Sequence, residues 1–178
     1  MKLAVSIMTA MAILWSAYAI AGADDPSAFD GRKYGAQKAV YDFNFENPED
    51  LRGAFGTVRN HLKAIREFGD AQNSRIVIVA HGNEVHALSR LNRAAFPEVY
   101  DTLKELAGAG VKVTLCRNAA IARGYRVEDF YDLVTVVPSA VIEIPKWEND
   151  GYAYIYLNAY PRMQREEVAS RHPKLRVN

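Results

Sequence analysis

Cys116 is the only cysteine in a chain of 178 residues, and it stands where a strand-like run, "VKVTLC", gives way to a helix-like one, "RNAAIARGY". A thiol at such a junction lies near unpaired backbone N–H groups and the positive end of a helix dipole, and both favour its anion. Arg117, with Arg123 further along, adds positive charge. In that setting a thiolate can act as a nucleophile. The opposite reading is the commoner outcome on residue pattern alone: a free cysteine on a strand is most often a small buried hydrophobe.

The residues that could assist the thiol are few. His81 and His86, in "AHGNEVHAL", are the only histidines placed near the same sheet edge. Two histidines and a thiolate could bind zinc or copper, but a spacing of five is no recognised ligand signature, so neither a metal nor a cofactor is expected. His81 reads as a hydrogen-bonding partner and His86 as a surface residue. A cysteine hydrolase would need His81 as base and a third, orienting acid, and no such acid is apparent. The aromatic runs "YDFNF" and "YAYIYL" alternate at strand period and read as sheet-face packing. The charged clusters "REFGD" and "QREEVASRHPK" read as solvated surface.

An odd thiol matters more in an exported protein, and the first segment has the layout of a secretory signal. "MKLAVSIMTAMAILWSAYAIAGADDP" carries one early positive charge at Lys2, an apolar run from Leu3 to Leu14, and then small residues at alternating positions. The acidic turn beginning at Asp24 favours cleavage after Ala23. The run is short of the roughly 20 apolar residues of a spanning helix, so no membrane attachment is expected once the signal is removed. Export leads to an oxidising compartment in which cysteines are ordinarily paired; Cys116 has no partner in its own chain, so it is buried and inert, paired between molecules, or reactive. The formal net charge is +1, and Lys2 is the only charge in the leader. A mature chain of zero net charge gives no field to attract nucleic acid.

The elements that must position these residues follow from periodicity. Residues 24–36, rich in turn formers, read as a lead-in. "QKAVYDFNF" is the first predicted strand. Asn47, Pro48, Glu49 and Asp50 then open a helix that stops at Gly69, with Leu51, Phe55, Val58, Leu62 and Ile65 as its buried stripe. "SRIVIVAHG" is a continuous apolar run, the mark of a strand covered on both faces and placed mid-sheet. A second helix over "NRAAFPEVYDTLKELAGAG" leads to the third strand, "VKVTLC", and "RNAAIARGY" is a short helix stopped by Gly124. "VEDFYDL" reads as a helical turn, "LVTVVP" as the fourth strand and "YAYIYL" as the fifth. Between those two strands, "SAVIEIPKWENDG" reads as a short helix broken at Pro145. The tail from Asn158 is polar and basic, with a helical patch at "RMQREEVASR".

Strands separated by helices imply parallel crossovers, hence an α/β fold: a three-layer α/β/α sandwich on a mainly parallel sheet of about five strands. The glycines of "LAGAGVKV" precede a strand, whereas a dinucleotide fingerprint must follow one. In such a sheet ligands collect beyond the carboxyl ends of the strands, which places Asn44, His81, Asn83, Cys116, Arg117, Asn118 and Ser139 at one candidate edge.

In order and spacing, "IVIVAHG", "GVKVTLCRNA", "VVPSAV" and "GYAYI" resemble the DsrE/DsrF-like family of sulfur-relay proteins. The resemblance covers residues 37–157, leaving 1–23 as signal, 24–36 as lead-in and 158–178 as tail. It implies a sulfurtransferase or sulfur carrier in which Cys116 holds sulfane sulfur as a persulfide, with His81, Asn83, Arg117, Asn118 and Ser139 lining the site. It further implies a homo-oligomer, trimer or hexamer, with separate donor and acceptor proteins. Two features depart from the family pattern. The export signal implies a periplasmic setting, and Pro145 and Trp147 fall where the family continues a helix. The alternative reading is a non-catalytic ligand-binding, metal-binding or assembly protein of the same fold, with a structural cysteine.

Overall fold

The computed structural model describes residues 23–158 and 162–175. The predicted leader lies outside the described residues, except for Ala23. The chain divides into two units, Met1–Gly31 and Arg32–Asn178. The described part of the first, residues 23–31, holds no helix or strand and is exposed throughout.

The second unit is built on five strands: β1 (Lys38–Phe43), β2 (Arg75–Ala80), β3 (Lys112–Cys116), β4 (Val134–Val137) and β5 (Ala153–Tyr156). All pair in parallel, in the order β4-β3-β2-β1-β5. The expected α/β class and parallel sheet are therefore observed, and the apolar run "RIVIVA" forms the central strand, as a strand buried on both faces should. The chain steps outward from β1 to β4 and then returns to add β5 beyond β1, so the direction of winding changes at β1.

The helices divide between the two faces. Helix α1 (Asp50–Phe68) buries Leu51, Ala54, Phe55, Val58 and Ile65, and α2 (Val99–Gly108) buries Val99, Thr102, Leu103 and Leu106. Together with Tyr41, Phe43, Ile78 and Leu115 they form the larger core. Helix α4 (Ala140–Asn149) packs on β1 and β2 from the other side, where a smaller cluster joins Val40, Val77, Val79, Ala140 and Trp147 to Cys116. Among the described residues two short α-helices remain, α3 (Arg117–Ala122) directly after β3 and α5 (Arg165–Arg171) in the tail.

Three local expectations change. The second helix does not begin at Asn92: a 3-10 turn occupies Arg90–Asn92 and α2 starts after Pro97, because a proline biases the residue before it away from helical backbone. Asn47 does not cap α1, whose cap position is Glu49; Asn47 and Pro48 form a turn before it, with their carbonyls accepting from the amides of Asp50 and Leu51. Helix α4 runs through Pro145 instead of breaking there. The amide that proline lacks would have bonded the carbonyl of Val141, four residues earlier. Val141 is 76% exposed, on the wet side of the helix.

Candidate functional site

Because every strand is parallel, the carboxyl ends of β1 to β4 share one edge. Asn44, His81, Cys116 and Ser139 all follow or end those strands there. Cys116 takes the cap position of α3 with extended backbone, and its sulfur accepts a hydrogen bond from the amide of Ala119 at 3.4 Å. The junction read from the sequence is thus present in the fold. The thiol is nonetheless only 5% exposed, and its cluster is Val40, Val77, Val79, Ala140 and Trp147. Trp147 is held over this face by donating its indole N–H to Glu143 Oε1 at 2.7 Å, with the Lys146 ammonium 3.3 Å from its ring centre.

The neighbours of Cys116 follow from the register. Val79 pairs with Thr114 and with Asp42, so the residues two positions on, His81 and Cys116, fall level with each other on the same face as Asp42. The β1–β2 ladder extends past its strands, with the His81 amide bonded to the Phe43 carbonyl at 3.0 Å and the Asn83 amide to the Phe45 carbonyl at 2.8 Å, which fixes His81 beside β1. Adjacent strands lie about 4.8 Å apart. Asp42 on β1, His81 just past β2 and Cys116 at the end of β3 therefore share one face at the carboxyl edge of the sheet, with Asp42 two residues below the level of the other two. No hydrogen bond joins His81 to Cys116.

Asp42 organises this face. It is 8% exposed. One oxygen meets His81 Nε2 at 2.7 Å, and the other accepts the Tyr154 hydroxyl at 2.6 Å from β5. Burial alone would push the Asp42 carboxyl up; the bonds from His81 and Tyr154 and the charge of His81 outweigh it and hold it below its ordinary value. The same bond pushes the Tyr154 hydroxyl up to about 12, with burial adding to it. An ionised carboxylate only accepts hydrogen bonds, so Nε2 of His81 carries a proton, and whenever the ring is neutral its lone pair is on Nδ1. Nδ1 has no hydrogen-bond partner among the described residues.

The loop carrying His81 is fixed from below by Glu84, which is fully buried. Its two oxygens accept the amides of Gly82 at 2.7 Å and Phe45 at 3.0 Å, tying the exits of β1 and β2 together. Burial pushes its carboxyl up, and those amides oppose the rise. Gly82 is required by the same closeness: a Cβ there would lie 2.3 Å from the Phe45 nitrogen.

The remaining predicted residues are placed as follows. Asn83 bridges two loops, donating to the Glu46 carbonyl at 2.6 Å and accepting from Arg123 Nε at 2.9 Å. Arg123 is spent on Asn83 and on the Ala119 carbonyl. Arg117 and Asn118 are exposed in the first turn of α3. Ser139 takes the cap position of α4 without a side-chain bond. His86 is not a free surface residue: it is half-buried, with Nδ1 2.9 Å from the Tyr125 hydroxyl. Among the described residues no group of three or more His, Cys, Asp or Glu could hold a metal ion. The sequence reading missed Asp42, Tyr154 and Glu84. Asp42 had one signal, a carboxylate in phase with Val40 within a strand whose other inward positions are apolar.

The description "DsrE/DsrF-like family" matches residues 57–157, from α1 to the end of β5. The chain belongs to the DsrE/DsrF-like family. The matched span contains Cys116, His81, Ser139 and Tyr154 and stops short of Asp42. Among solved structures, a protein of unknown function from Methanobacterium thermoautotrophicum is 26% identical, with a TM-score of 0.54 over 70% of this chain and 99% of that one. None of the curated proteins matches the chain. Family membership supports a sulfur-relay role in general terms.

Proposed function

We propose that this protein is a periplasmic sulfur carrier that holds sulfane sulfur as a persulfide on Cys116 and passes it to a partner protein. The observation that carries the reading is a lone thiol capping a helix at the ligand edge of a DsrE/DsrF-like sheet. A persulfide is an anion near neutrality, and the Ala119 amide is already directed at the sulfur. Donor and acceptor are separate proteins, the working form is a homo-oligomer of three or six copies, and the leader through Ala23 is removed on export. Among the described residues no helix is long and apolar enough to cross a membrane.

The test is cold cyanolysis of the mature protein after incubation with polysulfide. Thiocyanate should form in a one-to-one ratio with wild-type chains and be lost in Cys116→Ser; equal yields from both proteins would overturn the assignment.

A second reading has its own support. The aliphatic surroundings of Cys116 and its 5% exposure suit a packed structural thiol in a non-catalytic binding or assembly protein. Under that reading the folded protein resists alkylation at neutral pH until it unfolds.

A further inference from the structure

We infer that His81, oriented by Asp42, is the proton acceptor and donor for sulfur transfer at Cys116, an assignment that rests on the carrier reading. Three observations place it. The pairing of β2 with β3 runs to Ala80 and Leu115, so the next residues, His81 just past β2 and Cys116 at the end of β3, leave the sheet side by side at its carboxyl edge. Asp42 binds Nε2 at 2.7 Å, so in the neutral imidazole the lone pair is on Nδ1. Tyr154 occupies the other Asp42 oxygen at 2.6 Å, so the carboxylate is held from both sides and cannot turn away from the imidazole.

Sulfur transfer needs such a group. In the loading step the Cys116 sulfur attacks the outer sulfur of a donor persulfide. A new S–S bond forms to Cys116, the donor's S–S bond breaks, and its electron pair leaves on the donor thiolate. The Cys116 proton moves to His81 Nδ1 and from there to that thiolate. The products are the Cys116 persulfide, a donor thiol and neutral His81, with no net oxidation. As no bond joins His81 to Cys116 in this structure, the proton crosses after a side-chain rotation or by way of water, catalytic hydrogen bonds being often unformed in a site without substrate.

In the proposed step His81 takes up the reacting proton, whereas Asp42 and Tyr154 act through His81 and are positioning residues. The charged and titratable groups around this face are Lys38 and Asp42 on β1, Arg75 on β2, Lys112 on β3, Arg117 on α3, Glu143 and Lys146 on α4, Tyr152 before β5, and Tyr154 and Tyr156 on β5. Of these, only Asp42 bonds His81. The sequence offered no third member to accompany Cys116 and His81, and Asp42 supplies it.

The experiment is the rate of persulfide formation on the mature protein with glutathione persulfide as donor, followed by mass from pH 5 to 10. The wild-type rate should show a step within the pH 5 to 8 range in which imidazoles titrate. His81→Gln should load about 100-fold more slowly at pH 7 and lose that step. It should approach the wild-type rate near pH 10, where hydroxide from bulk solution can take the thiol proton without His81. Asp42→Asn should lose about tenfold at pH 7 with its folded circular dichroism spectrum intact, and it serves as the second variant should His81→Gln fold poorly. Loading of His81→Gln at the wild-type rate with an unchanged profile, or a variant deficit that persists at pH 10, would overturn the assignment of His81 while leaving the carrier reading standing. No loading of the wild-type protein at any pH would instead remove the carrier reading.

Discussion

At the scale of the residue, the chemistry turns on which groups surround a single sulfur, and the sequence disclosed these unevenly. Cys116 could be placed at a strand end because "VKVTLC" is a clean apolar run followed by helix formers, and a cap position follows from that boundary. Its burial could not be read, since Val40, Val77 and Trp147 reach it from three separate elements. Asp42 was hidden for the same reason: its partners are 39 and 112 residues away. The bond between Asp42 and Tyr154 has a measurable signature. In Asp42→Asn the carboxylate charge is gone, so the Tyr154 hydroxyl should fall from about 12 toward the ordinary tyrosine value near 10, read by NMR titration of ring-labelled tyrosine. Asp42 also affects stability with a definite sign. Its folded value lies below the unfolded one of about 3.9, so its contribution is present above that pH and is lost as pH falls through the folded value. The stability gap between wild type and Asp42→Asn, measured by urea unfolding, should therefore shrink between pH 5 and 3.

At the scale of the element, α4 decides how the thiol is reached. It forms despite Pro145 because the missing hydrogen bond falls on the side of the exposed Val141, while Ala140 and Trp147 seat the opposite side on the sheet. The sequence showed the proline and the apolar residues together; only the placement of the sheet decided between a break and a continuous helix. Trp147 covers the face that holds Cys116, so Trp147→Ala should cost about 3 kcal/mol by analogy with other buried aromatic deletions. The same change should speed alkylation of Cys116 in the folded protein. A destabilised variant with unaltered alkylation would mean that another element, such as α3, controls access. On the opposite rim, Glu84 and Gly82 fix the loop that presents His81, and neither role was legible before the exits of β1 and β2 were seen to approach so closely.

At the scale of the whole molecule, the architecture was the most legible part. A doubly covered apolar run, alternating helices and strands, and glycine stops together leave few folds open, and the five-stranded parallel sheet with β2 at its centre is the outcome. Export belongs to this scale too. Expressed with its leader in a secreting host, the recovered protein should begin at Asp24, as N-terminal sequencing can show; an intact Met1 on the exported protein would contradict removal of the signal. The central claim is narrower and can be met directly by intact-mass measurement of the mature protein after polysulfide treatment. The carrier account expects wild-type protein to gain the mass of one sulfur atom, the gain to map to the peptide containing Cys116, and Cys116→Ser to gain nothing. Wild-type protein of unchanged mass, under conditions that load a known sulfur carrier, would contradict it.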